Sequence, residues 1–190
     1  MASHDHPLVA VVVGPESCGK TTLAQQLSQA LGAPVVPEVA REYLVGRLSK
    51  SVQQPAAYDA DDLLQIAVQQ VAAEEGVCAQ TTTGLVVADT DLVVIEIWWL
   101  EKFGTPTAEF RALQRSRAGQ RRCYLLCYPD LAWEPDPLRE NPSDRVRLFQ
   151  RYLELLEQTG SDYRVIWGAG EQRRRRALAC LLYTSPSPRD

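Results

Sequence analysis

Gly14-Pro-Glu-Ser-Cys-Gly-Lys-Thr21 limits what this chain can fold into more than any other segment, because it fits G-x-x-x-x-G-K-[ST] and separates two stretches of different periodicity. Before it, Leu8-Val-Ala-Val-Val-Val13 is a continuous, mostly β-branched run, as expected of a strand buried on both faces of a parallel sheet. After it, Leu23, Leu27 and Leu31 recur at helical spacing until Gly32 ends the pattern. Strand, glycine loop and helix in that order form a phosphate cradle. The glycines let backbone N–H groups turn inward, and the helix adds the positive end of its dipole. The expected nucleotide contacts are Gly14, Pro15, Glu16, Ser17, Cys18, Gly19, Lys20, Thr21 and Thr22. Lys20 would reach the β- and γ-phosphates of ATP, and the Thr21 hydroxyl would bind Mg²⁺. Cys18 is a spectator, unless the surrounding N–H groups lower its pKa.

The rest of the chain continues the alternation. Strands are expected at 35–38, 85–89, 123–128 and 163–167, and helices at 40–48, 93–103, 108–114 and 145–158, with one more after Gly168-Ala-Gly170. A long amphipathic helix through Leu63, Ile66 and Val71 should open with Asp61 and Asp62 as N-cap and first-turn acid. Residues 49–60 read as a loop, and 129–142, crowded with proline, tryptophan and charge and lacking periodicity, as a mobile lid that extends to about 145. The pattern predicts an α/β fold: a three-layer α/β/α P-loop NTPase with a five-stranded parallel sheet, like the nucleoside and nucleotide kinases. Residues 1–7 are expected to be a disordered N-terminus and 8–179 a single P-loop domain. Cys180-Leu-Leu-Tyr-Thr-Ser-Pro-Ser-Pro-Arg-Asp190 breaks the preceding helical pattern and resembles the conceptual translation of a sequencing adapter, so it is expected to be foreign to the fold.

Composition narrows the function. A net charge of -4 gives no basic excess for a nucleic-acid backbone, and no stretch approaches the roughly 20 apolar residues that span a bilayer. Neither nucleic acid nor membrane is an expected partner; the expected substrate is a small molecule. Five scattered cysteines make no disulfide framework, and with no export signal at the N-terminus the expected location is the cytoplasm. Cys123 and Cys127 lack two further ligands nearby and read as structural.

Outside the loop, several residues could carry chemistry. Asp89 ends a buried strand, where ligands of parallel sheets gather; it either helps hold Mg²⁺ or caps the next helix, a task that suits Asp91 better. Glu38, at the end of the second strand, either accepts a proton from a substrate hydroxyl or pairs with Arg41. Arg139 and Arg145 either neutralise a transferring phosphoryl group or are solvated surface residues, whereas 173–176 read as a basic helix face. Trp98, Trp99 and Trp133 could stack a flat heterocycle, with core packing the competing reading for one of the adjacent pair. The Gly168-Ala-Gly170 turn either passes close to an adenine ring or caps the last helix.

Taken together, Gly14-Pro-Glu-Ser-Cys-Gly-Lys-Thr21, Pro37-Glu-Val-Ala-Arg-Glu-Tyr43, Asp62-Leu to Gln69-Gln70, Asp89-Thr-Asp91, Trp98, Phe103-Gly104, Pro129-Asp-Leu-Ala-Trp-Glu-Pro-Asp-Pro-Leu-Arg139 and Arg145 resemble the ribosylnicotinamide kinase domain of the NadR family. The resemblance covers 8–179 and implies ATP-Mg²⁺ as donor and the ribose 5′-hydroxyl of nicotinamide riboside as acceptor, with nicotinamide mononucleotide as product. Within that reaction the expected roles are catalytic for Lys20, Glu38 or Asp91, Arg139 and Arg145, metal binding for Thr21 and Asp89, and acceptor contact for Glu38, Arg41, Tyr43, Trp98 and Trp133. It does not reach the family's nucleotidyltransferase domain, so neither adenylyl transfer nor DNA binding is carried over. Residue chemistry alone leaves two alternatives, a kinase for another nucleoside or small metabolite and an ATP-dependent regulatory switch.

Overall fold

The computed structural model describes residues 6–48, 58–135 and 143–184. The β-branched run of the first segment forms β1 (Leu8–Val13), and the glycine loop leads into α1 (Lys20–Leu31). There follow β2 (Val35–Val36), α2 (Val39–Leu48), α3 (Ala60–Gln80), β3 (Leu85–Asp89), α4 (Leu92–Lys102), α5 (Ala108–Ser116), β4 (Arg122–Cys127), α6 (Arg145–Gln158), β5 (Tyr163–Ile166) and α7 (Gly170–Thr184). The five strands form one parallel sheet in the order β2-β3-β1-β4-β5.

Alternation along β1 explains the three layers. Val9, Val11 and Val13 face α4 and α6, packing with Val94, Ile97, Phe149, Tyr152 and Leu156. Ala10 and Val12 face the opposite way, onto Leu23 and Leu27 of α1 and Ala177 and Leu181 of α7. Both faces are covered, so every residue from Val9 to Val13 is almost fully buried. A third apolar cluster joins α2, α3, α4 and α5 around Ile66, Trp99 and Phe110. Among the described residues no helix is long and apolar enough to cross a membrane.

Three local expectations are corrected. The N-cap of α3 is Asp59, two residues before the Asp61 expected there, while Asp61 and Asp62 both lie in the first turn; Asp62 at N3 completes a reciprocal capping box, accepting from Asp59 N at 3.0 Å while its own N–H donates to Asp59 Oδ1 at 2.9 Å. The last helix does not stop at Cys180. It runs to Thr184 because Leu181 lies four residues beyond Ala177 and enters the same core, only 3% exposed. The basic face expected at 173–176 holds for Arg174 and Arg175, which pair with Glu171 at the surface, but Arg173 is 4% exposed. The later part of the expected lid, 136–142, the first residues of the N-terminal segment, 1–5, and the tail from 185 lie outside the described residues.

Candidate functional site

The glycine loop leaves the carboxyl end of β1 and needs its glycines for space as well as for torsion. Gly14 has φ +139°, and a Cβ there would sit 2.7 Å from the Cys127 carbonyl oxygen; at Gly19, φ +75°, it would sit 2.8 Å from Leu131 Cδ1. Ser17 (φ 54°) and Thr90 (φ 74°) are the non-glycine residues held at positive φ among those described, and both stand at this edge of the sheet, one in the loop and one immediately after β3. Lys20 Nζ donates to the Pro15 carbonyl at 2.8 Å. Burial opposes its charge, but the negative character of Cys18, Glu38 and Asp89 outweighs that and raises its pKa.

Residues 16–22 of the loop share one cleft with Glu38 and Arg41 from the start of α2, Trp98 of α4, and Leu131 and Glu134 of the segment after β4. The cleft thus joins the phosphate cradle to a carboxylate, a guanidinium and an indole that chain order places far apart. Glu38 Oε2 lies 3.8 Å from Arg41 Nε, so the pairing anticipated as an alternative for Glu38 exists within the cleft wall. The adjacent tryptophans divide: Trp99 is 1% exposed against Phe110, with ring centroids 5.3 Å apart, while Trp98 lines the cleft beside Tyr58.

Asp89 ends β3 buried beneath the loop and is hydrogen-bonded by Thr21. Burial pushes its pKa up, with Thr21, Lys20 and Arg41 acting the other way. Its Oδ1 is a buried acceptor with no partner among the described residues. Two hard oxygen donors, one of them orphaned, fit a Mg²⁺-type cation.

Other expected site residues stand elsewhere. Asp91 stands outside the cleft as the N-cap of α4, accepting from Val93 N at 2.9 Å, from Tyr124 Oη at 3.0 Å and from Arg122 at 3.2 Å. Tyr43 does not reach the cleft; its hydroxyl donates to Asp62 Oδ1 at 2.9 Å, at the start of α3. Trp133 is absent from the cleft wall too, with the Arg145 guanidinium 5.7 Å from its ring centroid. Arg145 itself donates to Ser17 O at 3.3 Å and Leu131 O at 2.9 Å. It ties the segment after β4 to the loop, a tie reinforced by Glu134 N donating to Ser17 Oγ at 2.9 Å. Arg139 lies outside the described residues.

Two features go further than the sequence reading, which allowed Cys18 a pKa lowered by the N–H groups of the loop. Cys18 is buried, its thiol donating to Pro15 O at 2.9 Å. Burial raises its pKa, but a hydrogen bond from Cys127 and the charges of Lys20, Arg173 and Arg145 bring it down to about 7. Arg173 is the second, and helical spacing to Ala177 and Leu181 was the one local sign that it points inward.

The fold is that of the P-loop nucleoside and nucleotide kinases. It is similar to NadR solved in complex with NR, at 20% identity and TM-score 0.73, over 97% of this chain and 53% of that one. NadR in complex with NAD and AMP-PNP gives 20% and 0.67, over 97% and 52%. Deoxyadenosine kinase from M. mycoides with bound dCTP gives 11% and 0.55, over 92% and 99%. The chain therefore spans about half the length of the NadR chains it matches. No curated protein sequence matches it. A family model described as an AAA domain matches residues 9–174, so the chain belongs to that AAA domain family of P-loop proteins.

Proposed function

We propose that this chain is an ATP-dependent kinase that phosphorylates the ribose 5′-hydroxyl of nicotinamide riboside to give nicotinamide mononucleotide. The observation that carries the reading is the single cleft in which residues 16–22 of the phosphate loop meet Glu38, Arg41 and Trp98. The likeness to NadR solved with NR supports the choice of acceptor.

In this reading the loop N–H groups and Lys20 hold the triphosphate, Lys20 exchanging the Pro15 carbonyl for phosphate oxygens. Thr21 and Asp89 are the residues that would hold Mg²⁺, which when bound neutralises charge between the phosphates. Glu38 accepts the proton of the 5′-hydroxyl as its oxygen attacks the γ-phosphorus and the bond from that phosphorus to the β,γ-bridging oxygen breaks, releasing ADP, while Arg41 fixes the Glu38 carboxylate and Trp98 offers a flat face to the pyridinium ring. Arg145 keeps the segment after β4 against the loop, a positioning task. Most of the rate gain then comes from alignment and charge stabilisation.

Product analysis with ATP-Mg²⁺ and a panel of nucleosides tests this. Nicotinamide mononucleotide should form with the natural protein and about 10²- to 10³-fold more slowly with Lys20→Ala. Preferential phosphorylation of another nucleoside would replace the acceptor, and ATP hydrolysis with no phosphorylated acceptor would overturn the kinase reading.

A further inference from the structure

Glu38 stands between the end of β2 and the start of α2, and the peptide units on both sides of it are held by one side chain from another helix. Gln70 of α3 is buried, 2% exposed. Its Oε1 accepts from Val39 N at 3.0 Å, and its Nε2 donates to Pro37 O at 3.2 Å. The two contacts reach across 31 and 33 residues of chain. An amide suits this task because it carries a donor and an acceptor on one planar group, whereas a carboxylate or an ammonium offers only one kind.

Helix capping explains only half of the arrangement. Val39 opens α2, and its N–H is among the first-turn donors that no carbonyl of the helix can take up. In α3, α4 and α5 the residue just before the helix meets that need locally, through Asp59, Asp91 and Thr107. In α2 the residue just before the helix is Glu38, which lines the cleft with its carboxylate 3.8 Å from Arg41, and Val39 N is held from α3. The bond to Pro37 O caps nothing, since that carbonyl precedes the helix. Together the two bonds fix the backbone before and after Glu38, so that its carboxylate moves chiefly by its own side-chain rotations. Gln70 does not line the cleft, and its effect on the reaction passes through Glu38.

We propose that Gln70 is a positioning residue for phosphoryl transfer: by clamping the peptide units that flank Glu38, it holds the carboxylate at the reach and angle from which it takes the proton of the acceptor hydroxyl. This rests on the reading of Glu38 as the base given above. A clamp of that kind acts on kcat, because misplacing a catalytic group by about 1 Å can cost roughly 10²-fold in rate, while the donor site of residues 16–22 keeps its form.

The test is a double-mutant cycle on the full chain with ATP-Mg²⁺ and nicotinamide riboside, comparing Gln70→Met, Glu38→Gln and the two combined. Each protein is measured for melting temperature, the KM for ATP and the kcat of its folded fraction. Gln70→Met, similar in length but without the amide, should lower kcat about tenfold with the KM for ATP within about twofold. In the Glu38→Gln background the same change should alter kcat less than about twofold, since the group it positions is no longer a base. Gln70→Glu, whose carboxyl when protonated still accepts from Val39 N and donates to Pro37 O, should retain more of kcat than Gln70→Met. A purely structural role would give an equal loss of kcat in both backgrounds, or a lower melting temperature with kcat unchanged, and either result overturns the proposal. If the natural protein transfers no phosphoryl group, or Glu38→Gln leaves kcat untouched, the reading of Glu38 as base fails and the clamp with it. That outcome is distinct from a slow Glu38→Gln to which Gln70→Met adds its loss independently, which removes the clamp alone.

Discussion

Asp89 and Asp91 are two residues apart, the same side chain, and each 4% exposed, yet their surroundings could hardly differ more. Asp91 belongs to a closed network: Arg122 bridges it to Glu74, Arg117 covers Glu74 from the other side, and Tyr124 and Val93 N take up what remains. Asp89 accepts from Thr21 but keeps Oδ1 unpartnered among the described residues, beneath a loop whose lysine rests on a carbonyl. One cluster has spent its hydrogen-bonding capacity on the fold; the other holds some in reserve, at the edge of the sheet where ligands of parallel α/β proteins bind. Burial of charge therefore does not mark function by itself. An unpartnered buried atom such as Asp89 Oδ1 is the more informative sign.

If that contrast is right, damage to the two clusters should separate stability from catalysis. Glu74→Ala removes the carboxylate shared by buried Arg117 and Arg122, leaving them only Glu75 and Asp91 as acidic partners, and should cost about 3 kcal/mol in urea denaturation, with the activity of the folded fraction preserved. A comparable loss of kcat would erase the distinction. Lys20→Ala should do the reverse, lowering phosphoryl transfer about 10²- to 10³-fold while the unfolding midpoint barely moves. Glu38→Gln is expected to reduce kcat about 10²-fold with the KM for ATP unchanged, and an equal effect of Asp91→Asn on kcat would restore Asp91 as a candidate base.

The smallest effect concerns Cys18 and sharpens the picture of the loop. Its pKa of about 7 in the fold lies below the ordinary 9.0, so the native state binds fewer protons than the unfolded chain between these values. The resulting stabilisation is complete above about pH 9 and is lost as the pH falls through 7. Relative to Cys18→Ser, the natural protein should gain on the order of 1 kcal/mol between pH 6.5 and 9 in denaturation midpoints. A constant difference across that range would mean that the thiol stays protonated beside Cys127.

Much of the fold was legible because it is written locally. The β-branched run of β1, the glycine loop and the leucine spacing of α1 each report on neighbours within a few residues, and the observed elements follow them closely. Asp89 at the end of a buried strand was legible for the same reason. Asp91 and Tyr43 turn away from the cleft to Tyr124 and Asp62, partners that local pattern cannot name. Arg173 was hidden by three neighbouring arginines that do lie at the surface, so that composition averaged over the one that does not.

The sequence by itself determined the alternation of strand and helix, the phosphate cradle and the layers of the core, since each depends on periodicity, torsion and short-range spacing. Only the tertiary structure decided which charged groups were consumed. Whether a carboxylate or guanidinium keeps a free lone pair or donor depends on what the fold brings beside it: Arg122 takes up Asp91, while Arg173 gives an Nη donor to the Cys18 carbonyl and keeps its Nε unpartnered among the described residues. Those partners arrive from distant parts of the chain, brought together by the packing of the whole.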